Sequence, residues 1–371
     1  MTPALPGSPR VLAVCDFLLK YTASLAVALA GAGADTALLT RDHDFEFGRE
    51  PGAMAAHLDR VLAGRVAHLA LSGRPRNPGS WRAAVRAAGA VRALGPDVVH
   101  LQNTVGSDPR LILAAGARRG RYAFTSHDVE RHPGDPSGAF HHAWLDDLLH
   151  RNAGVVFVHA EALVDRVHRL HGKDVPVEVV PHGVDLPTPL PLPPDPALLF
   201  FGRLSYYKGL DVLLDAMPGV WSRMGDVPLE IAGHGALPDH PLLGDPRVRL
   251  RHEHIPEDEL PALFGRASAV VLPYREASQS GVGSVAKRFG RPLVATRTGG
   301  LPELVADGSG LLAEPEDPAG LAEAIIELHT VRGLAERLVE AGTAGVLARS
   351  GWPRVAELTL AAYERHGLIR A

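Results

Sequence analysis

A single cysteine, Cys15, stands in the 371 residues, so no intrachain disulfide can form. Its place in the apolar run VLAVCDF reads as a buried strand thiol in a reducing compartment. A basic excess is missing as well. The formal charge is -4 and the pI is near 6.5, which removes the uniformly basic signature of a duplex-binding protein, and nucleic acid is not expected as a partner. The opening MTPALPGSPR has neither the charged start nor the apolar core of a secretory leader, which predicts a cytoplasmic protein. Long hydrophobic runs are also lacking. The stretch SLAVALAGAGADTALLT, Ser24 to Thr40, is Ala- and Gly-rich and is broken by Asp35, so it reads as helix, turn and strand rather than a membrane span. Methionine and lysine are scarce beside arginine, a composition typical of high-GC bacterial genomes.

What is present is alternation. VLAVCDF, DTALLT and DVVHLQ are strand-like and flank the helix-like SLAVALAGAG and WRAAVRAAGAVRAL; the same rule returns in ALLFFGR, LDVLLDAM, LEIAGHG, LPALFGRA, SAVVLPY, VAKRFG, PLVAT and PAGLAEAIIELH. Strands alternating with helices predict parallel sheets covered on both faces, and the length suits two such α/β domains. Between the two series lies LPTPLPLPPDP, Leu186 to Pro196, with six prolines in eleven residues. Proline fixes φ and has no N–H for a sheet, so an extended connector and hinge are expected there. The domains then span 1–185 and 197–349. The DPSGAFHH segment after Pro133 reads as a loop.

Residues just beyond strand ends carry the chemistry of open α/β sheets. After ALLFFG come Arg203 and Lys208, flanked by Gly202 and Gly209, and two cations on such a loop suit a diphosphate: Arg offers a bidentate fork, Lys a mobile point charge. Two solvated surface cations are the plainer alternative. TGGLPEL, with Gly299, Gly300 and Glu303, follows PLVAT, and its turn amides can cradle phosphate or sugar oxygens. ASQSGVGSVAKRFG sets Ser280, Gly281 and Val282 before a helix whose first amides face the same way.

In this order the segments resemble the retaining glycosyltransferases of the GT-B superfamily, the group called family four. The resemblance rests on VVPHGVD at 179–185, FGRLSYYKGLDVLLDA at 201–216, LEIAGHG at 229–235, GRPLVATRTGGLPELVADGSGLL at 290–312 and SGWPRVAELTLAAYERHG at 350–367. It implies two Rossmann-like doubly wound domains facing a central cleft, an acceptor-binding N-terminal domain, a nucleotide-sugar-binding C-terminal domain, and a helix within 350–371 crossing back to the first. It implies that Arg203 and Lys208 bind the donor diphosphate, that loops around His254 and Ile255 meet the base, and that the sugar moves to a hydroxyl acceptor with retention. A metal and other cofactors are not implied; the nucleoside-diphosphate sugar is a co-substrate. Asp42-His43-Asp44, the His252/His254 pair and His141-His142 lack matching ligand sets.

The sequence also departs from the family. Two glutamates usually stand eight positions apart where Ala277 and Val285 lie here, with Glu276 one residue before the first. After the first strand, Asp16 is followed by FLLKYTAS without the usual glycine pair, leaving Lys20 as a charge source or a solvated side chain. His127, directly after the strand RYAFTS, matches a family histidine that contacts sugar or acceptor, against the plainer reading of a loop cap. His182 is read as ordering the hinge, and His159 as lining the cleft. From Arg74 to Tyr122 nine arginines face two acids, Asp97 and Asp108; a solvated helix face explains this, and contact with anionic lipid headgroups at a membrane surface or with a phosphorylated acceptor is the alternative. Two rival functions remain: a GT-B nucleotide-sugar epimerase, which would turn over donor alone, and a catalytically silent nucleotide-sugar-binding relative.

Overall fold

The structure is a computed structural model, and it describes residues 7–42, 45–47, 51–73, 77–102, 108–129 and 143–370. The chain divides into two compact units, one of residues 1–129, 138–183 and 352–371, the other of 130–137 and 184–351. His43, Asp44, the DPSGAFHH loop and His141-His142 lie outside the described residues.

The first unit runs β1 (Arg10–Cys15), α1 (Leu19–Gly31), β2 (Asp35–Arg41), α2 (Ala53–Leu62), β3 (Ala67–Leu71), α3 (Pro78–Leu94), β4 (Val98–Gln102), α4 (Pro109–Ala115), β5 (Tyr122–Thr125), α5 (Ala143–Asn152), β6 (Val155–Val158), α6 (Val164–His171) and β7 (Val177–Val179). Its strands form a parallel sheet in the order β3-β2-β1-β4-β5-β6-β7. β1 is buried along all but its first residue, which is why RVLAVC reads as an unbroken apolar run. Cys15 is fully buried there, and burial pushes its thiol pKa up. α3 and α4 begin alike: Asn77 and Asp108 cap the first turn with a side-chain oxygen, and Pro78 and Pro109 follow where no N–H is needed.

The second unit holds β8 (Leu198–Phe201), α7 (Leu210–Met224), β9 (Leu229–Ala232), β10 (Val248–Arg251), α8 (Leu260–Gly265), β11 (Ala269–Leu272), α9 (Gly281–Arg288), β12 (Leu293–Thr296), α10 (Leu301–Leu304), β13 (Gly310–Ala313), α11 (Pro318–Thr330) and α12 (Leu334–Gly345), with a parallel sheet ordered β10-β9-β8-β11-β12-β13. The last helix, α13 (Trp352–Arg365), belongs to the first unit: Val355, Ala356 and Tyr363 pack with Val11, Leu25 and Leu29 of β1 and α1, and Tyr363 Oη lies 2.6 Å from His100 Nδ1.

The proline-rich segment, expected to be an extended, semi-rigid connector, is held by one of the units it was expected to join. Leu186 to Pro196 is part of the second unit, and the chain passes between the units at Gly183–Val184 and Gly351–Trp352. Thr188 and Leu190 donate their N–H to the carbonyls of Arg288 and Phe289 at 2.8 and 3.0 Å. The fully buried Arg291 donates to the carbonyls of Leu190, Pro191 (3.0 Å) and Ala267 (2.8 Å). Prolines give up donors but keep acceptors, and one buried guanidinium collects them.

Candidate functional site

In each sheet the connections diverge at one point, between β1 and β4 in the first and between β8 and β11 in the second. Ligands of open α/β sheets bind beyond the carboxyl ends of strands at such switch points. The loop after β8 is the one bearing Arg203 and Lys208. It leaves the strand through Gly202 (φ 114), turns through a 3-10 turn at Tyr206–Lys208, and enters α7 at Gly209 (φ 66). A Cβ at Gly209 would stand 1.9 Å from the Pro273 carbonyl oxygen, so only glycine lets the β8 and β11 loops touch.

The two cations differ in setting. Arg203 is exposed, whereas Lys208 is buried at 8%. The Lys208 ammonium donates to Tyr274 Oη at 2.7 Å and lies 4.0 Å from that ring's centroid. Tyr274 Oη is 3.2 Å from Ser280 Oγ, which accepts the Gly283 N–H and so caps α9. Burial pushes the Tyr274 phenol pKa up, which keeps it a neutral partner. Next door, Arg275 holds both carboxylate oxygens of Asp211 at 2.8 Å and the Tyr206 carbonyl at 2.9 Å, and its own N–H reaches the Tyr207 carbonyl at 2.8 Å. Tyr274 and Arg275 thus pin the Lys208 turn from the β11 side. Neither was picked from sequence, and only the SAVVLPY strand end pointed near them.

The loop after β12 joins the same edge. Gly299 (φ 50) passes so close to Ala277 that an added Cβ would lie 1.5 Å from its carbonyl oxygen, and the Gly300 N–H reaches that oxygen at 3.3 Å. Ala277 is 6% exposed in an apolar core with Ile255, Tyr274 and Leu301, and Val285 packs against it. The two positions where the resemblance expects carboxylates are therefore apolar in packing as well as in sequence. Glu276 is half-buried. Gly281 and Val282 are half-buried at the start of α9, Glu303 is exposed in α10, and His254 is exposed beside the buried Ile255. Lys208, Ser280 and Gly300 are thus tied together through Tyr274 and the β11 loop.

His127 lies in the first unit and is 2% exposed. Its Nε2 is 2.6 Å from the Gln102 side-chain amide, and its Nδ1 is 3.0 Å from His159 Nε2. His159 donates from Nδ1 to the Val180 carbonyl at 2.9 Å, which leaves its Nε2 as an acceptor. The proton between the rings then belongs to His127 Nδ1, and the chain closes when Gln102 turns its NH2 toward His127 Nε2. Burial pushes His159 down to about 4 and His182 down to about 3, and His127 well below the usual range, so the three rings are neutral at pH 7. Tyr21 sits among them, its ring centroid 4.8 Å from His127, 4.7 Å from His182 and 5.0 Å from Trp352.

At the start of α1 the backbone N–H of Leu19 is taken by Glu46 Oε1 at 2.7 Å. Asp16 is buried against Arg41 Nε at 2.8 Å, and the Lys20 ammonium lies 4.9 Å over the Phe47 ring. This helix end is therefore satisfied from within the unit, by a carboxylate that sequence did not single out.

Asp146, His150 and His171 bring one ligand-type atom each to within 4.8 Å of one another. The two imidazoles are stacked 3.8 Å apart at 6°, so their in-plane lone pairs run side by side and do not converge on one ion. His150 Nδ1 donates to the Asp146 carbonyl at 2.8 Å and its Nε2 meets Ser126 Oγ at 3.0 Å. The two rings form a packed imidazole pair, and His171 Nδ1 lies 2.9 Å from Asp147 Oδ1.

Comparison with known proteins agrees with this geometry. Residues 19–183 match the family model described as glycosyl transferase 4-like domain, and residues 195–330 match that of glycosyl transferases group 1. A glycogen synthase of Mycobacterium tuberculosis is 29% identical over 93% of this chain and 90% of its own. A D-inositol 3-phosphate glycosyltransferase of an Arthrobacter species is 34% identical over 50% of this chain and 49% of its own. Among solved structures, the sucrose-phosphate synthase of Thermosynechococcus elongatus superposes with a TM-score of 0.71 at 21% identity, covering 96% of this chain and 98% of that one. Anabaena HepE in complex with UDP-glucose gives 0.71 at 16% identity, covering 96% and 99%. Two doubly wound parallel-sheet units with these likenesses define a protein of the GT-B fold. The chain is a glycosyltransferase, an enzyme of sugar transfer from a nucleotide-sugar.

Proposed function

We propose that the chain moves a sugar from a nucleoside-diphosphate sugar to a hydroxyl acceptor, with retention at the anomeric carbon and without a metal. The buried Lys208 ammonium at the β8/β11 switch point carries the reading. The bond from the anomeric carbon to the diphosphate oxygen breaks, and its electrons stay on the leaving group. The acceptor oxygen attacks the face that the diphosphate vacates and passes its proton to the departing phosphate. Lys208, Arg203 and the amides of Gly281, Val282 and Gly299 offer positive charge to an anion whose charge grows in the transition state. On this reading the second unit holds the donor, with the His254–Ile255 loop toward the base, and the first unit holds the acceptor; His127, buried with its ring nitrogens engaged by Gln102 and His159, reaches that acceptor only by giving up one of those partners. No cofactor beyond the donor is required.

A thermal-shift panel of UDP, GDP, ADP and dTDP tests the donor assignment. A diphosphate present at a hundred times its dissociation constant adds about 2.7 kcal/mol of stability, and one of the four is expected to stand out. No shift with any of them would overturn the reading. Tyr274→Phe removes the hydroxyl between Lys208 and Ser280 while keeping the ring. It is expected to weaken diphosphate binding about five- to tenfold, the worth of one hydrogen bond. Unchanged affinity would show that Lys208 is held by its other contacts.

The apolar packing at Ala277 and Val285 favours a second reading, a nucleotide-sugar-binding protein without turnover. Bound donor that is neither transferred nor hydrolysed across a broad acceptor set would support it.

A further inference from the structure

The arginine-rich segment of the first unit is not evenly solvated. α3 carries no acidic residue, and its outer face exposes Arg82, Arg86 and Arg92 together with Trp81 (39% exposed) and Val85 (66%). At about 100° per residue, Trp81, Val85 and Arg92 fall within about 40° of one another, and Arg82 and Arg86 extend the exposed face about 60° and 100° beyond Val85. α4 packs against α3 and exposes Leu113 at 52%. Exposed Arg118, Arg119 and Arg121 follow in the turn before β5. β4 and β5 are parallel neighbours, so the end of α3 and this turn share one edge of the sheet.

Of the two acids among these arginines, Asp108 leaves the surface, while Asp97 stays exposed and is held by Arg10. Asp108 and Arg110 are both fully buried and pair with each other at 2.6 Å. Asp97 accepts the Arg10 backbone N–H at 2.8 Å. Six exposed arginines, three on α3 and three in the turn near its C-terminal end, therefore accompany the exposed Trp81, Val85 and Leu113 of α3 and α4, on a chain whose net charge is -4. A merely solvated face has no use for exposed Trp and Val beside its arginines. An amphipathic basic face does, because aromatic and aliphatic side chains enter a headgroup layer while guanidinium groups meet its phosphates. Among the described residues no helix is long and apolar enough to cross a membrane.

We propose that α3, α4 and the turn before β5 form a docking surface for an anionic phospholipid bilayer. The proposal is independent of the donor assignment. The test is co-sedimentation of the full chain with vesicles of phosphatidylglycerol mixed with phosphatidylcholine, and with phosphatidylcholine alone. Binding is expected only to the anionic vesicles and is expected to be lost at high salt. Each arginine near such a surface contributes roughly fivefold in partitioning, so combining Arg82→Glu, Arg86→Glu and Arg92→Glu should lower it by more than about a hundredfold. Trp81→Ala should weaken binding severalfold and Trp81→Phe should largely keep it. Equal sedimentation with both vesicle types, or full retention by the triple variant, would overturn the proposal. So would equal retention on duplex DNA with no effect of Trp81→Ala, which would mark a general polyanion surface. Should the triple variant fail to fold, the salt titration and the two Trp81 variants decide the matter.

Discussion

Lys208→Ala is expected to depress turnover roughly thirty- to a thousandfold while weakening nucleoside-diphosphate binding far less. Removing one preplaced donor to a developing anion costs about 2 to 4 kcal/mol of transition-state stabilisation. The contact strengthens as the sugar–phosphate bond breaks, so the loss falls on kcat more than on ground-state binding. Folding should change little, because Tyr274 keeps Ser280 as a partner and Arg275 still clamps the turn to Asp211. Arg203→Lys keeps the charge but loses the bidentate fork and should remain impaired. Near-normal turnover in both variants, measured with an active donor and acceptor, would place the diphosphate elsewhere.

Acid should unfold the first unit well above the pH at which surface carboxylates titrate. Burial holds His100 and His150 near 3, His182 near 3, His159 near 4 and His127 well below its ordinary value. The unfolded chain takes up protons at these positions near pH 6.5, whereas the folded chain does not. Stability is therefore full above pH 6.5 and falls as pH drops toward the folded values. Asp146 works the other way: burial raises it to about 7, so its cost to the fold shrinks as pH falls from 7 toward 4. The carboxylates held low by partners, Glu178, Asp147, Asp211 and Asp245, lose their contributions only below about pH 4.5, outside this window. A net uptake of roughly two to four protons on unfolding corresponds to about 3 to 5 kcal/mol per pH unit. Urea unfolding at pH 7.5, 6.5 and 5.5 reads this slope, and a flat profile would show that the rings are not buried as neutral groups.

The alternation of short apolar runs with amphipathic stretches determined the parallel sheets, because strands such as β1, β8 and β11 are buried on both faces and can only be apolar. The same reasoning placed Arg203, Lys208, Ser280, Gly299 and Gly300 just beyond strand ends. It did not find β3, β7, β10 or β13, which are three to five residues long and leave several side chains partly exposed, so they carry no continuous apolar run. Glycine spacing in the two second-unit loops was visible, but why glycine is required was not, since the obstacles are the carbonyls of Pro273 and Ala277, more than twenty residues away in each case.

Strand order, and with it the switch point beside the β8 loop, was decided only by tertiary structure. So were the Tyr274 contact to Lys208, the Arg275 clamp, the Glu46 cap and the pairing of His127 with Gln102 and His159. The proline run was legible as extended but not as anchored, because its partner is Arg291, roughly a hundred residues later. Local sequence determines which backbone conformation each segment prefers and which face it must bury. The partner of a buried polar group is decided by which strands become neighbours, and in a parallel sheet those neighbours are joined by long crossovers that local pattern does not record.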